Sequence, residues 1–354
     1  MALPTVFLTS SCVRQTQTTP LSVPKPLSVS QTTSLMMLPM PPQTAQKFQY
    51  QPLKKSNRRS FGTVKALNKE DKIFKNVEIF SEEHLLDSLA HDIAELSQKF
   101  IKDKGSFSVA LSDTPSVKFL RKLAEPPYVN TIEWSKWKIF WVEEEVFVPG
   151  DQLKKRLEPN DPLVAKINHK FVYDEFLTMV SRISGNLNVY TIDYDLSDKE
   201  EAAERYQKKL EIWVSKNEIA KSNKNQLPKF DLMLLGMEPN GRVASLMPDH
   251  AVLDEKEKWV ASVEGKDVTR VTLTLPVINS SSNIALVVAG SANADAVYSA
   301  FKDDYPQADP VRKLPAKLIS PEEGELVWYL DKAAASKLFK EEILIDKRSP
   351  SVKN

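Results

Sequence analysis

Residues 230–250 read FDLMLLGMEPNGRVASLMPDH. The run Phe230–Leu235 is apolar on nearly every position, so it is too short for most helices and reads as a strand buried on both faces. A glycine follows at Gly236, then the polar run Glu238–Arg242, then the frame Ala244-Ser245-Leu246-x-Pro248, which reads as the start of a helix. A buried strand that ends in a glycine-containing polar loop is where an open α/β sheet places its ligands. The centre of this loop is Asn240-Gly241-Arg242. Arginine has five donors, no acceptor and a charge that persists at neutral pH, so it holds anions and cannot take a proton from water.

The pattern repeats outward from this strand. Val77–Phe80 is apolar and strand-like, and Ser81-Glu82-Glu83 starts a helix with a capping serine and acids in its first turn. Leu85, Leu89, Ile93, Leu96 and Phe100 then recur at helical spacing. Further strands are predicted at Phe107–Leu111, Trp137–Val142, Leu187–Ile192, Val271–Leu275, Ile284–Ala289 and Leu326–Leu330. Ser112-Asp113-Thr114-Pro115 has the polar caps and early proline of a helix start. Lys199–Ile219 reads as a long charged helix with Ala202, Ala203, Tyr206, Leu210 and Trp213 along one face. Residues 216–229 (KNEIAKSNKNQLPK) read as a polar, mobile connection. Strands alternating with helices indicate an α/β fold, doubly wound, with a mainly parallel sheet covered by helices on both faces. The segments after Leu111, Val142, Leu235 and Ala289 are the places for a site.

Composition narrows the classes. The chain has 354 residues, 42% hydrophobic and 27% charged, and no apolar run reaches the roughly 18 residues of a membrane span. Its net charge of +1 hides an asymmetry. Residues 1–69 hold nine Lys/Arg and no acid, whereas the remainder has 39 basic and 47 acidic groups, a balance of −8. A basic, acid-free leader crowded with Ser, Thr and Pro reads as a plastid transit peptide over 1–66, cleaved around Ser60–Ala66. A domain over 67–340 and a polar tail over 341–354 follow. Location in the chloroplast is expected, in the stroma or peripheral to an internal membrane. Nucleic-acid binding has little support, because the basic cluster Lys54–Arg59 belongs to the leader and the domain is acidic. Cys12 is the single cysteine and lies in the leader, and the four histidines, His84, His91, His169 and His250, form no HxH or HExxH pair. No metal site is expected.

FDLMLLGMEPNGRVASLMPDH, RVTLTLPVINSS, IALVVAG and GELVWYLDK, extended by FSVALS, FLRKLAEPPYV and IFWVEEEVFVP, together resemble 6-phosphogluconolactonases of the plant type over residues 76–338. The resemblance implies a doubly wound fold related to glucosamine-6-phosphate deaminases. It also implies a carboxylic ester hydrolase that opens 6-phosphogluconolactone in the pentose phosphate pathway, without metal or organic cofactor.

Four loops depart from the family pattern. Its catalytic loop is of the type GMGxDGHxASLFP, with the histidine as general base. Gly236, Met237, Gly241, Ala244, Ser245, Leu246 and Pro248 match it, while Glu238 replaces its second glycine, Asn240 its aspartate and Arg242 its histidine. His250 lies eight residues beyond Arg242 and does not stand in for it by position. The phosphate loop Ser-Gly-Gly-Ser becomes Ser112-Asp113-Thr114-Pro115, which loses an N–H donor and gains a negative charge. The loop Asp-Glu-Arg becomes Glu143-Glu144-Glu145-Val146, with Glu145 or Val146 in place of the arginine. Glu143 taken alone reads as part of a solvated acidic loop, and the three carboxylates would repel a phosphate. The loop Gly-x-x-Lys-Ala becomes Gly290-Ser291-Ala292-Asn293-Ala294, with Asn293 in place of the lysine. Arg270 precedes a strand and is a further pocket candidate. Pro276, Asn279, Trp328 and Asp331 match as scaffold.

Three readings stand. One is a lactonase-like plastid protein that has lost hydrolysis and binds or supports other plastid proteins in a complex. Another is an active lactonase working with altered residues. The third is a sensor or enzyme for another, less phosphorylated sugar-derived ligand, with Arg242 holding an anion and the glutamates holding hydroxyls; a sugar phosphate is a further candidate partner.

Overall fold

The computed structural model describes residues 63–64, 77–112, 119–146, 172–185, 187–193, 199–264, 269–301 and 313–338. In chain order the strands are β1 (Thr63–Val64), β2 (Val77–Phe80), β3 (Phe107–Leu111), β4 (Trp137–Trp141), β5 (Glu143–Val146), β6 (Asn188–Val189) and β7 (Ala220–Lys221). They continue as β8 (Pro228–Lys229), β9 (Leu232–Gly236), β10 (Val260–Glu264), β11 (Thr269–Leu273), β12 (Asn283–Val288) and β13 (Glu325–Asp331). The main sheet has the order β1-β2-β13-β12-β9-β3-β4-β6. Its seven strands from β2 to β6 are parallel, and β1 pairs antiparallel with β2 at the edge. This is the doubly wound α/β fold that the sequence predicts. Thr63–Val64, which the sequence reading assigns to the leader, contribute the edge strand; the rest of the expected leader and the tail over 341–354 lie outside the described residues.

The strand order explains where a site forms. From β3 the chain moves outward to β4 and β6, returns to β9, and then proceeds the other way through β12 to β13. β3 and β9 are neighbours, with Leu111 opposite Leu234. The crevice beyond their carboxyl ends is therefore the topological switch point. Ser112 leaves β3 there, and its N–H donates to Leu234 O at 3.0 Å.

A second sheet, β10-β11-β5, is antiparallel. Val142 joins the two sheets. Its N–H donates to Leu111 O at 2.9 Å, and its carbonyl accepts from Leu273 N at 2.8 Å. The sequence reading treats Glu143–Val146 as a loop, whereas these residues form β5, with Glu143 opposite Thr272 and Glu145 opposite Arg270.

Helix α1 (Glu82–Lys104) follows β2. Ser81 caps it by accepting from His84 N, and Gly105 ends it in the left-handed region at φ 83°, a conformation that glycine adopts without steric cost. Leu85, Leu89 and Ile93 are buried. At its end, Lys104 Nζ lies 2.8 Å from Asp231 Oδ1, while Asp231 Oδ2 accepts from Ser108 N and Oγ at 2.7 and 2.9 Å. This buried contact ties the amino end of β3 to that of β9. Helix α2 (Lys199–Ser215) ends four residues before the predicted Ile219, where Asn217 adopts φ 58°. The connection expected to be mobile holds the β7–β8 hairpin, closed by Ser222 N to Leu227 O at 2.9 Å, with Ser222 buried.

The core is rich in aromatic rings. Phe107 and Trp134 pack on Trp137 with centroids 4.9 and 4.8 Å away, and Trp137 Nε1 donates to Ser97 Oγ at 2.7 Å. Phe140 meets Tyr190, Trp213 and Phe230 at 4.5, 5.5 and 5.3 Å. Trp141 and Trp328 are also buried, and Trp259 is packed against the same core. No helix among the described residues is long and apolar enough to cross a membrane.

Candidate functional site

At the switch point, the chain after β9 forms two linked turns. Met237 bridges Val243, and Val243 bridges Leu246. Within the first turn, Gly241 N–H donates to Glu238 O at 2.8 Å and Glu238 N–H to Arg242 O at 2.9 Å. Gly241 sits at φ 86°. Asn240 Oδ1 accepts from Arg242 N at 2.9 Å, the local side-chain bond that makes asparagine a turn residue. The Ala244–Pro248 frame does not start a helix. Ala244 lies at φ 52°, a left-handed conformation that a helix cannot propagate. The next helical piece is the 3-10 turn Ala251–Asp254, capped by His250, whose Nδ1 accepts from Val252 N at 3.1 Å. His250 is thus engaged with its own turn.

Arg242 is the hub of this region. Its side chain is only 7% exposed. Nη1 donates to Glu143 Oε2 at 3.2 Å and to Ala244 O at 2.9 Å. Nε donates to Glu238 Oε2 at 2.9 Å, and Nη2 donates to Glu238 Oε1. The guanidinium therefore forms a two-pronged pair with Glu238 and a deeper contact with Glu143. Glu143 is 1% exposed and also accepts from Ser112 Oγ at 2.7 Å and from Ser245 Oγ. This corrects the reading of Glu143 as solvated: it leaves the joint between the two sheets beneath the site, where only a paired carboxylate is tolerable.

The remaining acidic positions have partners as well. Glu145 pairs with Arg270, Oε1 to Nη2 at 2.7 Å, across the β5–β11 ladder. Glu144 is buried, and its Oε1 accepts from Glu145 N at 3.0 Å. The three carboxylates foreseen as repulsive are thus engaged within the protein, Glu143 by Arg242, Glu144 by the Glu145 N–H and Glu145 by Arg270. Gly236 closes β9 and is buried. Asp113, Thr114 and Pro115 lie outside the described residues. Asn293 sits in a 3-10 turn after Gly290, and its Nδ2 donates to Ala289 O at 2.8 Å. Asp331 secures the same loop by accepting from Gly290 N at 2.9 Å, and Asn279 bonds Leu318 O and Ser320 N. The scaffold roles expected of Asp331 and Asn279 are met.

Ser112, Glu143, Glu238, Arg242 and Ser245 form one network, with Arg270 and Glu145 paired on the adjoining strands. Sequence reasoning missed the roles of Ser245 and Glu143. The available signal was that Glu143 follows an unbroken apolar run, Ile139–Val142, so it starts inside the core. Arg242 offers donors alone, and it holds the Glu238 carboxyl below the usual carboxylate range, which makes that carboxylate a poorer base.

A separate concavity of about 390 Å³ lies at the amino ends of β9, β12 and β13, lined among others by Glu78, Asp92, Glu95, Lys99, Asn283 and Tyr329. Its position is at the end of the sheet opposite the switch point. On α1, His91, Asp92 and Glu95 bring ligand atoms within 4.8 Å of one another. His91 Nε2 lies 3.1 Å from Glu95 Oε1, one helical turn away, and Asp92 accepts from the Tyr329 hydroxyl at 2.8 Å.

Comparison with known proteins agrees with this architecture. Residues 81–328 match the family model described as glucosamine-6-phosphate isomerases/6-phosphogluconolactonase. The chain is 44% identical over 278 residues to 6-phosphogluconolactonase 3, chloroplastic, of Arabidopsis thaliana, covering 77% of each chain. It is 41% identical over 261 residues to the probable 6-phosphogluconolactonase 3, chloroplastic, of Oryza sativa subsp. indica, covering 73% of this chain and 74% of that one. The solved structure of 6-phosphogluconolactonase from Trypanosoma brucei superposes with a TM-score of 0.57 at 19% identity, over 74% of this chain and 98% of that one. The last likeness is one of fold. The chain belongs to the glucosamine-6-phosphate isomerase/6-phosphogluconolactonase family.

Proposed function

We propose that this protein has kept the lactonase fold and lost lactone hydrolysis, and that it serves a binding or structural role in the chloroplast. One observation carries the reading: the position of the family's general base holds Arg242, buried and engaged by Glu143 and Glu238. Hydrolysis needs an acceptor for a water proton, and a missing acid–base group alone lowers rates by roughly 10²–10⁴. The phosphate clamp is weakened too, since Asn293 stands for the lysine and Glu145 or Val146 stands where the family's arginine would follow β4. The location is supported by the chloroplastic names of the relatives and by the acid-free, Ser/Thr/Pro-rich leader.

The second reading, an active 6-phosphogluconolactonase, is favoured by the 44% identity to a relative of that name. Following lactone decay by NMR with the purified full chain separates the two. The expected rate equals the spontaneous one. A rate clearly above it, abolished by Arg242→Ala or His250→Ala, would establish the enzyme and remove the main reading. Addition of 6-phosphogluconate at concentrations well below about 1 mM is expected to leave the melting temperature unchanged; a large shift there would favour a sensor of that ligand.

A further inference from the structure

The three charged side chains of the network differ in exposure. Glu143 is 1% exposed and Arg242 is 7% exposed, whereas the Glu238 side chain is 36% exposed. Arg242 therefore has an inward edge, where Nη1 serves Glu143 and Ala244 O, and an outward edge, where Nε and Nη2 both meet Glu238. Two parallel N–H donors on one guanidinium edge are the recognition unit for a planar or tetrahedral oxyanion. In this protein that unit is filled by a carboxylate of the same loop, four residues away.

We propose that the outward edge of Arg242 is a binding site for a small oxyanion, a phosphate monoester or a carboxylate, and that Glu238 is a built-in competitor seated in it. Glu143 keeps its contact with Nη1, Arg270 keeps Glu145, and the incoming anion replaces the one negative charge that Glu238 withdraws. Because Glu238 is tethered by a short turn, it competes at an effective concentration in the millimolar range or above. A free anion at lower concentration leaves the site closed, unless it makes further contacts. The residue at position 238 thereby sets whether the loop is open to anions. This inference rests on the reading that Arg242 takes no part in hydrolysis.

The test uses inorganic phosphate as the probe and the full chain as the protein. Phosphate affinity is measured by calorimetry and by its effect on the melting temperature, for wild type, Glu238→Ala, Glu238→Gln and the double variant Glu238→Ala/Arg242→Lys. Glu238→Ala is expected to bind phosphate about ten- to a hundredfold tighter than wild type, the worth of one or two charge-assisted hydrogen bonds. Glu238→Gln, which keeps the side-chain volume, is expected to gain less, in the same direction, and serves where the alanine variant does not fold. The lysine in the double variant keeps a charge for Glu143 and loses the fork, so the gain is expected to vanish. Equal phosphate affinity in wild type and in folded Glu238 variants overturns the proposal. So does a gain that survives in the double variant. Lactone turnover by the wild type would remove the reading of lost hydrolysis, while the phosphate titration would still decide the role of Glu238.

Discussion

Arg242 and Glu143 depend on each other in a way that the loop sequence alone does not reveal. Replacing Arg242 by Leu leaves Glu143 buried with two hydroxyl donors and no counter-charge. The expected loss is about 3–5 kcal/mol, the usual cost of removing one partner of a buried ion pair. Adding Glu143→Gln should recover part of it. Urea unfolding of the single and double variants measures both. Glu238 gives a pH-dependent counterpart. Its folded carboxyl lies below the ordinary value of 4.5, chiefly through its hydrogen bond with Arg242. A depressed folded value means that the contribution is complete above 4.5 and is lost as the pH falls through the folded value. Glu238→Gln should therefore soften the decline of the urea midpoint below about pH 4.5; an unchanged acid limb would show that Arg242 does not stabilise the ionised form. At this scale the sequence revealed the substituted residues but not their partners. Arg242 is legible as a misplaced base because arginine chemistry is invariant. Glu143 is not legible as its partner, because the two follow β4 and β9, strands separated by β3 in the sheet, and lie 99 residues apart in the chain.

Elements built from continuous apolar runs were read almost to the residue. Phe107–Leu111 is β3 as expected, and β9 starts two residues later than the run Phe230–Leu235 suggests. β5 was missed because Glu143-Glu144-Glu145 shows neither alternation nor β-branched residues, and its pairing with β11 is non-local. The Ala244–Pro248 frame misled for the opposite reason: its composition suits a helix, while the loop's hydrogen bonds force φ 52° at Ala244. A close approach between elements gives a sharper test. Just before β13, Gly324 packs so tightly on the turn before β12 that an added Cβ would lie 2.3 Å from Ser281 O and 2.6 Å from Ser282 O. Backbone atoms cannot yield cheaply, so Gly324→Ala should lower stability by about 1–3 kcal/mol. Thermal unfolding reads this directly, and an unchanged midpoint would mean that the β12–β13 junction is slack.

For the whole molecule, the class of fold was legible from the alternation of strands and helices, whereas the strand order was not. β13 inserts between β2 and β12, a pairing across most of the chain that no local pattern announces. The sheet's outer edge carries a prediction of its own. β1 adds two residue pairs, Thr63 with Glu78 and Val64 with Val77, each worth roughly 0.2–1 kcal/mol. A chain starting at residue 67 should lose no more than about 2 kcal/mol in urea unfolding. It should also expose the β2 edge, read as faster amide exchange at Val77 and Glu78; unchanged exchange would indicate that β1 contributes no protection.

The aromatic core has an optical consequence. All six tryptophans are among the described residues. Trp134, Trp137, Trp141 and Trp328 are buried, and Trp213 and Trp259 are half-buried against the same core. None is presented fully to water, so the native emission should lie toward the blue and resist quenching by iodide. Unfolding would release all six indoles at once into a polar medium. The protein thus carries an internal lamp that reports loss of its interior with a large red shift and stays nearly silent to events on its surface.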